Sequence, residues 1–123
     1  MRVLFVCVGN SCRSQMAEGW ARHYGLEAFS AGTHPASQVA TNSVIVMEEM
    51  GIDISMQSPS LVDDVDVSSF DQIISMGCGV SCPTIKIDAD WEIGDPFNQS
   101  LDVYRAARDI IHEKVRALVN SEE

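Results

Sequence analysis

Val3-Leu4-Phe5-Val6 is apolar at every position, so a strand formed there has no polar face and must be covered on both sides. It runs into Cys7-Val8-Gly9-Asn10-Ser11-Cys12-Arg13. Beyond that loop Met16, Trp20 and Tyr24 recur every four residues, with Ala17 and Ala21 beside them. The recurrence predicts a helix, and Gly25 stops it. A buried strand, a loop and a helix in succession open a parallel α/β sheet.

The rest of the chain continues that alternation. Glu27 to Ser30 reads as a short second strand, closed by Ala31-Gly32. A second helix is expected over Ser37 to Met50, with Val39, Val46, Met47 and Met50 on one face and Gly51 as terminator. Residues 55–69 are polar and acidic and read as a surface connection with one helical turn. Phe70 to Met76 contains Ile73-Ile74 and predicts a third strand, and Thr84-Ile85-Lys86-Ile87 a fourth. Gly77 to Pro83 is a loop by composition. Ser100 can cap a final helix whose Tyr104, Ile111, Val115 and Leu118 face inward. In a sheet so built, ligands sit beyond the carboxyl ends of the strands, near a switch in strand order. The loops after the first and third strands should both open there.

A chain of 123 residues makes one domain, 1–123, without linker or repeat. With 46% hydrophobic and 21% charged residues it is an ordinary folding sequence and not a disordered one. The net charge of −10, with no basic run, excludes nucleic acid as a partner. The apolar run from Val3 to Val8 is too short to span a membrane or to serve as a secretory signal. A cytoplasmic location is therefore expected. Four cysteines in such a chain point to reactive, metal-binding or merely buried thiols before structural bridges.

Their placement makes the anion loop the centre of the chemistry. Backbone amides of residues 8–14 and the helix N-terminus converge on a tetrahedral anion. Gly9 permits close approach of backbone, Arg13 can hold two oxygens at once, and Ser14 can donate to the sulfur of Cys7. Asn10 can pin the loop. The positive surroundings should favour the Cys7 thiolate, which lies beneath the anion and in line to attack it. A buried cysteine ending a strand is the bland alternative, but it leaves Gly9, Arg13 and Ser14 unexplained.

Cys7-Val8-Gly9-Asn10-Ser11-Cys12-Arg13-Ser14 is similar to the phosphate-binding loop of low-molecular-weight protein tyrosine phosphatases. The longer run through Gln15-Met16-Ala17-Glu18-Gly19 resembles their relatives, the thiol-dependent arsenate reductases. The likeness continues through Ser30-Ala31-Gly32, Gly51 to Ser55, and Asp90-Trp91-Glu92 to Asp95-Pro96. It implies a four-stranded parallel sheet with helices on both faces, a three-layer flavodoxin-like α/β architecture. It also implies that Asp95, held extended by Pro96, is the general acid for the departing oxygen. That role asks for a carboxyl kept protonated by burial or by nearby charge.

Phosphatase and reductase share all of this, since arsenate is nearly isosteric with phosphate. They part at the next step. Water hydrolyses a phosphoenzyme, whereas a thiol-arsenate adduct needs a second thiol to expel arsenite. Cys78 and Cys82 supply two candidates in the loop after the third strand. The resemblance implies a relay from Cys7 to Cys78 and on to Cys82, with the reverse order open. It further implies arsenate as substrate, phosphate or sulfate as competing oxyanions, and no metal or organic cofactor. The oxidised protein would be restored by thioredoxin, glutaredoxin or a low-molecular-weight thiol. Hydrolysis of phosphate monoesters is the alternative activity, and a non-turning thiol sensor the alternative class. Cys12 reads as a spectator of the loop, or as a partner for a protective disulfide with Cys7. A zinc site built on Cys78 and Cys82 has no further ligands in view, because His23, His34 and His112 form no motif.

Overall fold

The computed structural model describes residues 1–77 and 86–122. Among them the chain forms β1 (Arg2–Cys7), α1 (Arg13–His23), β2 (Glu27–Gly32), α2 (Thr41–Glu48), β3 (Gln72–Ser75), β4 (Ala89–Asp90) and α3 (Leu101–Glu122). The four strands are parallel in the order β2-β1-β3-β4. Strand order therefore reverses beside β1, and the loops after β1 and β3 leave the same edge of the sheet. No helix among the described residues is long and apolar enough to cross a membrane.

Alternation along β1 divides the core in two. Val3, Phe5 and Cys7 join Met16 and Trp20 of α1, Val46 and Met47 of α2, and Tyr104, Ile111 and Val115 of α3. Leu4 and Val6 face the opposite side, where Ala31, Val62 and Ile73 are buried beneath Val65, Val67, Phe70 and Ile87. Both faces of the strand are covered, as its wholly apolar sequence requires. The helical cover of the second face consists of two single-turn 3-10 helices, Val62–Asp64 and Val67–Ser69. A stretch with Pro59, Asp63, Asp64 and Asp66 lacks the apolar stripe that a longer helix would need.

Two elements depart from the sequence expectation. The second helix begins at Thr41, four residues later than Ser37, and Met50 is half exposed beyond its end. The chain before Thr41 instead runs along the loop after β1, with His34 N–H on Val8 O, Ala36 N–H on Gly9 O and Ala40 N–H on Ser11 O. Those bonds satisfy loop carbonyls that would otherwise lack partners, and they outweigh helix propensity. The fourth strand pairs through Ala89 and Asp90; Lys86 and Ile87 lie outside it, and Thr84 and Ile85 lie outside the described residues. Asp88 sets this register by exchanging bonds with Ile73, its N–H to Ile73 O and its carboxylate to Ile73 N–H.

The end of α2 is clamped to α3 by Glu49. Its carboxylate takes two contacts from the Arg105 Nε and Nη2 at 3.0 and 2.7 Å and one from Arg108 Nη1 at 2.8 Å. Arg108 also donates to Val46 O at 2.9 Å. The Arg105 guanidinium above all, opposed by burial and helped by Arg108, holds the Glu49 carboxyl down to about 2. A folded value below the unfolded one stabilises the fold above the ordinary carboxylate range. That contribution disappears as the pH falls from about 4.5 toward 2. Glu49→Gln should flatten this part of an acid-denaturation profile, measured by circular dichroism, while leaving the remaining acid transition in place.

Candidate active site

Cys7 is the last residue of β1, and Arg13 is the first residue of α1, so strand and helix present both to the carboxyl edge of the sheet. The intervening loop is wound by Asn10, which adopts φ 49°, a left-handed conformation that asparagine tolerates. In that conformation Asn10 N–H donates to Cys7 Sγ at 3.0 Å. Its amide nitrogen donates to Ser14 Oγ at 2.8 Å, and its amide oxygen accepts from Ser60 N–H at 2.8 Å. Gln15 Nε2 donates to Asn10 O at 2.9 Å. Every polar group of Asn10 is thus used to hold the turn.

Ser14 Oγ lies 3.0 Å from Cys7 Sγ. Since the serine oxygen accepts from Asn10, its own proton can be directed at the sulfur. Two donors on the sulfur favour the thiolate over the thiol. Cys7 and Ser14 are both buried, which limits competition from water. The end of β2 closes against the same loop: a Cβ on Gly32 would come within 2.5 Å of Val8 O, so only glycine fits there.

Arg13 is buried, and its guanidinium spans the gap between the loops. Nη1 donates to Ile93 O at 2.7 Å and to Met76 O at 3.2 Å, while Nη2 faces Asp95 Oδ2 at 3.5 Å. Met76 ends the segment from β3, and Ile93 belongs to the loop after β4. Asp95 itself is turned by Pro96 and accepts from Phe97 N–H at 3.0 Å. Its side chain is 54% exposed.

These residues line one concavity of ≈ 230 Å³. Cys7, Val8, Gly9, Asn10, Ser11, Cys12 and Arg13 form its floor and walls, and Ala36, Asp95 and Phe97 its rim. The volume suits a small oxyanion with its hydration better than a bulky organic group. Ser14 stands behind the sulfur and outside this lining. Cys78 and Cys82 lie outside the described residues. Cys12 Sγ points away from the loop's centre, 3.3 Å from the Tyr104 hydroxyl on α3.

A larger concavity of ≈ 620 Å³, bounded by Glu18, Arg22, Ser30, Asp53, Gln57 and Ser60, has no cysteine among the described residues that line it. Glu18, pushed up by burial, is satisfied there by Ser30 Oγ at 2.6 Å and by Arg22 Nη2 at 3.2 Å. Among the described residues no group of three or more His, Cys, Asp and Glu side chains is arranged to hold a metal ion.

Reading the sequence singled out Cys7, Arg13, Ser14, Asn10 and Asp95, and the fold brings all five together. It missed Gln15, Ser60, Ala36 and Tyr104. Gln15 is adjacent to the loop and carries a weak local signal, a polar residue on a helix that is buried along its whole first half. The other three reach the site only through long-range packing. Of the aromatics, Phe97 rims the pocket, whereas Trp91 packs on Phe5 with ring centroids 5.4 Å apart.

The chain is similar to known proteins over nearly its whole length. The family model described as low molecular weight phosphotyrosine protein phosphatase matches residues 2–123. The chain is 41% identical over 126 residues to the glutaredoxin arsenate reductase of Synechocystis sp., covering 96% of this chain and 95% of that protein. A solved arsenate reductase in a phosphate-binding state superposes with a TM-score of 0.90 at 40% identity, covering 98% of this chain and 97% of the other. An arginine phosphatase from Geobacillus stearothermophilus superposes with a TM-score of 0.83 at 28% identity, covering 98% and 91%.

Proposed function

Since the chain belongs to the low molecular weight phosphotyrosine protein phosphatase family, we propose that it is an arsenate reductase whose oxyanion site is the pocket over Cys7. The observation that carries reduction over hydrolysis is the pair Cys78 and Cys82, which follows β3 and Met76, whose carbonyl accepts from Arg13. Full-length similarity to a glutaredoxin arsenate reductase supports the same choice.

Arsenate enters with its oxygens toward the Arg13 guanidinium and the amides of residues 8–14. Its charge then faces Asp95, which favours a proton on that carboxyl. The Cys7 thiolate attacks arsenic, and Asp95 gives its proton to the departing oxygen, which leaves as water. The product is a Cys7 sulfur–arsenic(V) adduct. Cys78 thiolate next attacks Cys7 sulfur and breaks the sulfur–arsenic bond. The bonding pair stays with arsenic, which is reduced by two electrons and leaves as arsenite.

Cys82 thiolate then attacks Cys78 sulfur and releases the Cys7 thiolate. The two oxidising equivalents end in a Cys78–Cys82 disulfide. A reduced thiol partner of the glutaredoxin or thioredoxin type, or a small thiol, returns two electrons and completes the cycle. Phosphate and sulfate compete for the site, because the contacts read shape and charge and not the central atom.

Thiol mapping after a single turnover tests the reading. Fully reduced protein is mixed with arsenate, or with phosphate as control, then alkylated and mapped by mass spectrometry. Loss of two thiols with arsenate alone, linking Cys78 to Cys82, is the expected result. Four surviving thiols, in protein that hydrolyses a phosphate monoester, would make it a phosphatase and the cysteine pair a packing feature.

A further inference from the structure

The Cys7 loop has a second support that the chemistry above does not use. Cys12 stands at the N-terminus of α1 with φ −119° and ψ −85°, outside helical geometry, and its side chain caps nothing. Its sulfur is turned toward α3, 3.3 Å from the Tyr104 hydroxyl and 3.6 Å from Ser11 Oγ. Cys12 and Tyr104 are 4% and 2% exposed, so water does not compete for either group. A buried phenol hydroxyl requires a partner, and here the partner is a loop residue 92 positions away. Burial first, then the Cys12 contact and the charge of Asp95, push this phenol upward.

Tyr104 belongs to the first turn of α3, with its N–H on Ser100 O. Ser100 Oγ accepts from Val103 N–H, and the turn before it starts at Asp95-Pro96. The same short stretch of chain therefore carries both the residue opposite Arg13 and the hydroxyl behind Cys12. Ser11 and Cys12 are walls of the oxyanion pocket. Their backbone position decides where the amides of residues 11–13 aim.

We propose that Tyr104 is a positioning residue of the oxyanion site: its hydroxyl, acting through the Cys12 sulfur, anchors the rear of the loop to α3. The proposal rests on the reading of this pocket as an oxyanion site. Tyr104 touches no substrate. Its effect falls on oxyanion affinity, and it also holds the Cys12 sulfur on the α3 side, away from reagents entering the pocket.

Tyr104→Phe keeps the ring and removes only the hydroxyl. Titration calorimetry with inorganic phosphate should give a dissociation constant about fivefold weaker than wild type, the scale of one lost hydrogen bond. Peptide mapping after iodoacetamide, with phosphate saturating the pocket to shield Cys7, should find Cys12 alkylated faster in the variant. Cys12→Ser retains a partner for the hydroxyl and should lose less phosphate affinity than Cys12→Ala. Cys12→Ala should weaken it as Tyr104→Phe does, and combining those two should add nothing. A lowered melting temperature with phosphate affinity and Cys12 alkylation unchanged would reduce Tyr104 to core packing and overturn the proposal. Failure of the wild-type protein itself to bind phosphate would instead remove the oxyanion reading of the pocket, and this proposal with it.

Discussion

Cys7→Ser is expected to end arsenate reduction, with a loss on the order of 10⁴- to 10⁶-fold, the scale seen when a nucleophile is removed from an intact site. Serine is the weaker nucleophile, and near neutrality it is not ionised. The deeper reason is electronic. Arsenic receives its electron pair only when a thiol attacks the atom bonded to it, and an oxygen in that place cannot form the disulfide that balances the reduction. The hydroxyl still fits beside Asn10 N–H and Ser14 Oγ, which lie 3.0 Å from the native sulfur. Binding should therefore survive. The check is a pair of measurements on one preparation: arsenite formed per enzyme, and phosphate affinity by calorimetry. Arsenite production at a tenth of the wild-type rate would mean that the electrons leave through another thiol.

The second large effect is expected from Arg13→Lys, a change that keeps the charge and loses the geometry. A lysine ammonium is a point donor, whereas the guanidinium is a planar fork that can face two oxygens of an anion at once. Here the fork is shared, since Nη1 already serves Ile93 O at 2.7 Å and Met76 O at 3.2 Å. Substitution should raise the dissociation constant for phosphate by about 10²-fold, roughly 2.7 kcal/mol. It should also lower the stability of the unliganded protein by about 1–3 kcal/mol, because a lysine cannot satisfy both buried carbonyls. Thermal melts with and without phosphate read both effects. Wild-type protein at 100 times its dissociation constant should gain about 2.7 kcal/mol, and the variant at the same phosphate concentration little. An undiminished phosphate shift in Arg13→Lys would show that the loop amides alone bind the anion.

The two predictions differ in how far the sequence could support them. Cys7, Asn10, Arg13 and Ser14 fall within eight consecutive residues between a buried strand and a helix. A site made of contiguous backbone is legible because local chemistry builds it: the turn, the helix N-terminus and the side chains arrive together. The dual duty of Arg13 was not legible, since its carbonyl partners lie 63 and 80 positions away. The same holds for Ser60, whose N–H fixes Asn10 across 50 positions, and for Tyr104.

Asp95 shows the division within one residue. Asp-Pro before a final helix marked it as a candidate, and the fold sets it 3.5 Å from Arg13. Its side chain is nonetheless 54% exposed, which no local feature of the sequence reveals.

The pattern of apolar residues was enough to determine that this protein has a parallel sheet covered on both faces. Turn and helix signals likewise determined that a cysteine ends the central strand and that a short loop joins it to a helix. Hydrophobic periodicity and turn chemistry act over a few residues and so survive in one dimension. Only the tertiary structure decided that the second helix begins at Thr41, that 3-10 turns cover the far face, and that Arg13 and Tyr104 tie the loop to β3 and α3. Those outcomes rest on hydrogen bonds between groups far apart in the chain, and a buried polar group takes whichever partner the packed fold brings to it.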